Sequence, residues 1–273
     1  MDLEITNIED NLKLKSKVKD YWNESACGTH LTNIEKYTKE YFDDIEETRY
    51  KMQPEIPLFA DFKSGNNKKL LEIGVGAGTD FLQWVRNGAL AYGIDLTEEA
   101  IDHVKHRLSL YNLEAVEYKT ADCENLPYDD NTFNIIYSWG VIHHTPNTSK
   151  AFDEIVRVLK PGGKAKVMIY HKNSILAYLF WFKHSILKLK PFRSMDFVLS
   201  NYMESPGTKA YTITETKNML IKHKLLNLKI NPVLTYYDKL ERFNPFMQIL
   251  ASILSKLLGG NKVGWFLLIE FEK

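Results

Sequence analysis

The sequence predicts an α/β protein whose core is a mostly parallel sheet flanked by helices. Three observations support this fold class. An apolar run at residues 70–73 leads into a glycine-rich turn and then into a helical pattern. Further strand-like segments at 89–96, 116–119, 133–138 and 164–170 alternate with amphipathic helical patterns, which indicates parallel β–α–β connections. The run at 133–138 is almost entirely apolar, as is typical of a strand buried on both faces.

Composition argues against several broad classes of protein. Lysine plus arginine total 35 and aspartate plus glutamate also total 35, so no overall field draws the chain to nucleic acid or to an anionic membrane. The two cysteines, Cys27 and Cys123, lack metal-ligand spacing and predict a reducing, cytoplasmic compartment without disulfides. Residues 1–10 are polar and acidic, unlike a signal peptide, and no apolar run approaches the ~18 residues of a membrane span.

The turn after the first strand has the pattern Glu72-x-Gly74-x-Gly76-x-Gly78. Glycine accepts backbone angles that other residues resist, and it lets a ligand approach the main chain closely. Such a ligand lies in the crevice beyond the carboxyl ends of parallel strands. The spacing does not fit a dinucleotide fingerprint, which needs glycine or alanine where Thr79 stands, and no Gly-Lys-Ser/Thr follows as in a P-loop.

Acidic residues follow the next two strands. Asp95 ends the second strand at the distance from the first glycine where α/β nucleotide sites place a carboxylate against ribose hydroxyls. The alternative is a helix N-cap, although Thr97 can begin the next helix without it. Asp122 follows the third strand, where the alternative to a ligand contact is an aspartate that forms a turn.

Residues 70–163 resemble the core of class I S-adenosylmethionine-dependent methyltransferases of the ubiquinone- and menaquinone-biosynthesis type, with a methyltransferase domain 11-like core. The resemblance depends on the glycine pattern, the segments LPYDDNTFNIIYS and EIVRVLKPGG, and the paired histidines between them. It implies a Rossmann-like sheet of seven strands with an antiparallel last strand, S-adenosyl-L-methionine as cofactor, and Asp122 on the adenine amino group. The cofactor-binding residues that it implies are Glu72, Gly74, Gly76, Gly78, Thr79, Asp95, Leu96, Asp122, Cys123 and Trp139.

Residues 1–66 precede the first strand and contain helical patterns at 12–21 and 37–52. They are predicted to form an N-terminal helical cap, either as a layer on the sheet edge or as a lid over the cofactor. Within it, Tyr21 and Arg49 are predicted to bind the acceptor substrate. The alternative for Arg49 is a solvated position on its helix.

Residues 67–273 are predicted to form the methyltransferase domain, with a helical insertion at about 173–212. Within the insertion, residues 174–189 are apolar around most of a helix, with basic residues toward and beyond its end. Such a helix is buried or meets a partner. We favour a cover over the acceptor, with a homodimer contact or a basic, aromatic membrane face as alternatives. Strands at 226–236 and 264–271 complete the predicted sheet.

The resemblance also implies the chemistry. A sulfonium methyl is already activated, so positioning of the nucleophile and exclusion of water can supply much of the rate. A base helps when the acceptor is a hydroxyl, an ammonium or an acidic carbon. His143 and His144 follow the fourth strand and His171 follows the fifth, and histidine takes a proton near neutral pH. The alternative for the pair is packing at a turn. Tyr202, in a predicted loop, is the third candidate for acceptor binding.

The predicted function is methyl transfer to oxygen, nitrogen or carbon of a small-molecule metabolite. Nucleic acid is not expected as a substrate, because Ser138-Trp139-Gly140-Val141 replaces Asp/Asn-Pro-Pro-aromatic and neither cysteine follows a proline. The sequence does not indicate a metal site. Two alternatives stay open: C-methylation of a quinone- or lipid-like acceptor at a membrane surface, and a non-catalytic protein that binds S-adenosylmethionine.

Overall fold

The computed structural model describes residues 2–240 and 245–273. Seven strands of this part of the chain form one sheet in the order β3-β2-β1-β4-β5-β7-β6. Strand β7 runs antiparallel to β5 and β6, whereas the other neighbouring strands are parallel. The predicted sheet with an antiparallel last strand is therefore confirmed. The strands are β1 Lys69–Ile73, β2 Leu90–Asp95, β3 Glu117–Thr120, β4 Phe133–Trp139, β5 Leu159–Tyr170, β6 Leu226–Val233 and β7 Phe266–Glu272.

Helices precede, connect and follow these strands. They are α1 Asp2–Glu24, α2 Lys39–Met52, α3 Glu55–Ala60, α4 Thr79–Arg86, α5 Glu98–Leu110, α6 Thr148–Val158, α7 Ile175–Trp181, α8 Met195–Tyr202, α9 Ile213–Leu220 and α10 Pro245–Leu257. Within residues 2–240 and 245–273, every helix is too short or too polar to traverse a bilayer.

The sheet has a buried core on each face. Successive side chains of a strand point to opposite faces. Leu71 and Ile136 accordingly join the apolar cluster that includes side chains of α6, whereas Leu70 and Ile135 join the cluster that includes Trp84 of α4. With both faces covered, the carboxyl ends of the parallel strands remain the place where a ligand can reach the sheet.

The fifth strand begins earlier than predicted. It starts at Leu159 rather than at residue 164, because Leu159 already pairs with Phe133 of β4 before the register shifts. The shift accommodates the Lys160-Pro161-Gly162-Gly163 segment within the strand instead of before it.

The apolar segment at 174–189 is not one continuous α-helix. Helix α7 ends at Trp181 and a π-helical turn, Phe182–Ile186, follows it. Ile175 is buried, but Leu187 and Leu189 are 64% and 90% exposed. The segment is thus a half-buried insertion with an apolar outer face.

Candidate active site

A cavity of about 450 Å³ lies at the carboxyl ends of β1, β2, β4 and β5, and helix α1 and the loop after it form its opposite wall. Strand order changes direction at β1 and β4, which is where open α/β sheets bind ligands. Nine of the ten predicted cofactor residues line this cavity: Glu72, Gly74, Gly76, Thr79, Asp95, Leu96, Asp122, Cys123 and Trp139. Their contact with a cofactor stays a prediction.

The glycine turn holds the main chain in left-handed conformations that glycine tolerates. Gly74 has φ +82°, and a Cβ there would lie 2.1 Å from Val141 Cγ2. A side chain at this position would therefore displace Val141, which lies two residues beyond the end of β4. Gly78, the predicted residue that does not line the cavity, instead precedes α4 as its N-cap with φ +73°.

The carboxylate of Asp95 is fixed by the turn beside it. Its Oδ2 accepts a hydrogen bond from the Gly76 amide at 3.1 Å, and its Oδ1 accepts from the Thr97 amide and hydroxyl at 3.1 and 2.9 Å. Thr97, not Asp95, is the N-cap of α5. A carboxylate has about four acceptor positions, so Oδ2 keeps capacity for one donor from the cavity.

Glu72 contributes a buried acceptor that lacks a donor. Its side chain lines the cavity, the residue is 2% exposed, and Oε2 has no hydrogen-bond partner among the described residues. Burial, together with the nearby Asp80 carboxylate, raises the pKa of Glu72 well above its usual value. A buried polar atom without a partner is costly, so this position favours a ligand that brings a donor or a positive charge.

Sequence reasoning missed the buried carboxylate of Asp80, which connects α4 to two other elements, α2 and β4. It accepts hydrogen bonds from Arg49 Nη2 at 3.2 Å, from the Tyr50 hydroxyl at 3.0 Å and from the Tyr137 hydroxyl at 2.9 Å. Arg49 was predicted to bind the acceptor, and it does line the cavity. Its charge, however, is already compensated by Asp80, so it holds α2 against α4 and β4.

Asp122 is paired with the N-terminal helix. Lys15 Nζ of α1 lies 2.5 Å from Asp122 Oδ2 and 2.9 Å from Glu124 Oε2. Burial lowers the pKa of Lys15, but the two carboxylates outweigh it and raise the pKa overall. The ion pair attaches α1 to the loop after β3 and places Lys15 in the cavity wall. Residues 1–66 therefore contribute directly to the enclosure of the cavity.

Among the three candidate bases, only His144 lines the cavity. Its Nδ1 is hydrogen-bonded to the hydroxyls of Ser205 at 2.8 Å and Thr208 at 3.1 Å. Because the Thr208 hydroxyl donates its proton to the Ser205 carbonyl, it can only accept from Nδ1, which favours the tautomer with the proton on Nδ1.

The other ring nitrogen of His144 keeps a lone pair. Nε2 is buried without a hydrogen-bond partner among the described residues and lies 4.0 Å from Glu204 Oε2. Burial, with a smaller contribution from Lys209, lowers the pKa of His144 to about 3. The imidazole is therefore neutral at physiological pH.

The structure does not bring the other two histidines or Tyr202 to the cavity, which corrects their predicted placement. His143 is fully buried and packs on the Tyr170 ring, with 4.0 Å between the ring centroids. His171 Nδ1 is hydrogen-bonded to the Gly264 carbonyl at 3.0 Å. The Tyr202 hydroxyl accepts from Arg193 on the protein surface. None of these three side chains lines the cavity.

The far end of the cavity is aromatic and contains one carboxylate that the sequence did not indicate. The Tyr170 hydroxyl donates to the Glu204 carboxylate at 3.0 Å, and both residues line the cavity. Burial raises the pKa of Glu204, while the hydrogen bond from Tyr170 opposes the shift. The other aromatic side chains of this wall are Tyr21, Trp22, Trp139, Tyr237 and Phe266. Residues 174–202 do not line the cavity, so α7 is not the cover over the acceptor that we favoured.

Within residues 2–240 and 245–273, no three His, Cys, Asp or Glu side chains converge as a metal site would require.

Comparison with known proteins finds similarity to methyltransferases. A family model described as a methyltransferase domain matches residues 71–167. Phosphoethanolamine N-methyltransferase 2 of Caenorhabditis elegans is 36% identical over 119 residues, which cover 43% of this chain and 27% of the worm enzyme. Ubiquinone biosynthesis O-methyltransferase of Coxiella burnetii strain RSA 493 is 25% identical over 215 residues, covering 76% of this chain and 84% of that protein.

The extent of the match differs between relatives. The chain spans 27% of the length of the C. elegans enzyme and 84% of the length of the C. burnetii enzyme. Among solved structures, geranyl diphosphate C-methyltransferase from Streptomyces coelicolor A3(2) aligns with 95% of this chain and 97% of its own, with a TM-score of 0.62 and 15% identity. This likeness concerns the fold. In its matched segment, its strand order and these relatives, the chain is similar to the class I S-adenosylmethionine-dependent methyltransferases.

Proposed function

We propose that the protein transfers a methyl group from S-adenosyl-L-methionine to an oxygen, nitrogen or carbon atom of a small molecule. The observation that carries the proposal is a single cavity with Glu72 and Asp95 at one end and His144 and Glu204 at the other. A methyl donor and its acceptor must lie within near contact distance in one enclosed space. The relatives are named as N-, O- and C-methyltransferases, which supports the reaction class and leaves the acceptor atom open.

The residues of the acidic end fit the cofactor. S-adenosylmethionine carries an ammonium group and two ribose hydroxyls. The ammonium would supply the donor that Glu72 Oε2 lacks, and a ribose hydroxyl would occupy the acceptor position left on Asp95 Oδ2. The narrow turn at Gly74 and Gly76 lets the main chain approach the ligand.

The bound cofactor would supply an electrophilic methyl group on its sulfonium sulfur. The chain itself would orient the acceptor and exclude water. His144 Nε2 and Glu204 Oε2 are too far apart, at 4.0 Å, to bond each other, but a donor between them would reach both. An acceptor amine in that place could donate a proton to each atom, and a hydroxyl, which has one proton, to either of them, with a nucleophilic lone pair left free. A pKa of about 3 makes His144 a weak base, so we assign it to orientation, with Glu204 as the partner that offsets developing positive charge.

A reducing compartment such as the cytoplasm suits both cysteines. Cys27 and Cys123 are free thiols, and both line the cavity. Burial raises the pKa of Cys123 to about 12, with Asp122 adding to the shift, so it stays a thiol at neutral pH. We therefore propose a cytoplasmic protein in which neither cysteine acts as a nucleophile.

Two measurements test the proposal. Isothermal titration calorimetry with S-adenosylmethionine and S-adenosylhomocysteine is expected to show saturable binding of both. Transfer of a labelled methyl group is then measured with separate pools of phenols, amines and prenylated quinones. Binding without transfer to any pool would favour the non-catalytic alternative. Absence of heat with either compound would contradict the proposal as a whole.

A further inference from the structure

The helical insertion presents an unusual outer surface. Leu187, Leu189 and Phe192 are 64%, 90% and 100% exposed, and Phe182 and Tyr178 are 47% and 53% exposed. Single exposed apolar side chains are ordinary, but a group of this size within one short segment marks an interaction site. We call the exposed side chains of residues 178–193 the basic-apolar face.

The charges on this face have one sign. Lys183, Lys188 and Lys190 are exposed, and no aspartate or glutamate occurs between residues 173 and 195. None of these three lysines forms an ion pair with a carboxylate of the described residues. Burial, and then the neighbouring cations Lys183, Lys188 and Arg193, lower the pKa of His184.

The face is held in shape by hydrogen bonds from its own side chains. Arg193 Nη1 donates to the His184 carbonyl at 3.1 Å and to the Tyr202 hydroxyl at 2.9 Å. Trp181 Nε1 donates to the Arg193 carbonyl at 2.7 Å, and the His184 ring stacks on the Tyr202 ring at 4.2 Å. These contacts connect α7, the π-helical turn and α8 into one unit. The exposed apolar side chains therefore project from a segment whose elements are joined by hydrogen bonds and ring stacking.

We propose that the basic-apolar face docks on the surface of an anionic lipid bilayer. Apolar side chains surrounded by cations, with no aspartate or glutamate within residues 174–195, match the acyl boundary and the negative headgroups of such a surface. A second copy of this chain is the less suitable occupant, because a two-fold contact would bring the same uncompensated lysines against each other. The docking is interfacial, since no described helix can cross the bilayer.

Docking of this face would also orient the cavity. The chain passes from Tyr202, at the end of α8, to Glu204 in the cavity wall within two residues. The aromatic end of the cavity therefore lies beside the proposed membrane contact. The proposal concerns the surface alone and holds whether or not methyl transfer is observed.

Co-sedimentation with vesicles tests the proposal on the intact chain. We expect binding to vesicles of phosphatidylcholine mixed with phosphatidylglycerol, and much weaker binding to phosphatidylcholine alone. Each lysine near an anionic surface contributes about a fivefold gain in partitioning, so the double variant Lys188→Glu/Lys190→Glu should bind at least about 25-fold more weakly. Leu189→Ser/Phe192→Ser should lose binding to the mixed vesicles as well, because both side chains are exposed and contribute apolar contact.

Matched controls separate this face from exposed apolar residues elsewhere. Leu58 and Ile221 are 83% and 75% exposed outside the insertion, so Leu58→Ser/Ile221→Ser should bind vesicles as the wild type does. Equal melting temperatures would show that all variants are folded. Wild-type protein that binds anionic and neutral vesicles equally, or not at all, would overturn the proposal. So would a dimer, seen by light scattering, that the face variants dissociate.

Discussion

Replacing Asp95 by asparagine is expected to weaken binding of S-adenosylhomocysteine by about 10- to 150-fold. In the protein, Oδ1 accepts two hydrogen bonds from Thr97 and Oδ2 accepts one from the Gly76 amide. The Nδ2 group of asparagine would stand where Oδ2 stands, so a donor would face both the Gly76 N–H and a ligand hydroxyl. Losing one charge-assisted hydrogen bond to the ligand costs about 1.5–3 kcal/mol, which corresponds to the stated change in Kd.

The same substitution should destabilise the unliganded protein, because the Gly76 amide loses its acceptor. An unsatisfied donor costs about 1–3 kcal/mol, or a fall in Tm of about 2 to 10 °C for a chain of this size. Calorimetric titration gives the Kd and differential scanning calorimetry gives the Tm. Asp129→Asn, at an exposed loop position, is the control and should change neither quantity. A folded Asp95→Asn protein with the wild-type Kd would refute the assignment of Asp95 to the ligand.

Three further predictions concern stability. Burial and Asp80 raise the pKa of Glu72, so ionisation of this carboxyl opposes folding at any pH above its usual pKa. In urea unfolding, Glu72→Gln should therefore have a higher free energy of unfolding than wild type at about pH 8. The difference should shrink near pH 4. Burial holds the pKa of His144 at about 3, so acid favours the unfolded chain. Between about pH 7 and pH 5, the free energy of unfolding should fall by about 2 kcal/mol less in His144→Gln than in wild type. An equal fall in both proteins would contradict the burial argument. A Cβ at Gly74 meets Val141 whereas one at Gly162 meets nothing within 4 Å, although both have positive φ. Denaturant unfolding should therefore show a cost of about 1 kcal/mol for Gly162→Ala and about 3 kcal/mol or more for Gly74→Ala, and equal costs would mean that Val141 moves aside freely.

The placement of the histidines shows where sequence reasoning was insufficient. His171 follows β5 at the expected edge of the sheet, but its ring is hydrogen-bonded to the Gly264 carbonyl, just before β7. Only the antiparallel insertion of β7 beside β5 brings that carbonyl to the ring. His143 and His144 are adjacent in the chain, and the packing of Tyr170 and Ser205 decides which of them faces the cavity.

The sequence by itself determined the fold class, the position of the glycine turn and the acidic residue that ends β2. These features depend on neighbours within a few residues: the periodicity of apolar side chains, the positive φ at Gly74 and the order of strand, turn and helix. Only the tertiary structure decided that Glu204 joins Tyr170 at the far end of the cavity, and that Arg49 is already paired with Asp80. Such side chains meet across distant parts of the chain, and the packing of whole elements against each other sets their distances and exposure.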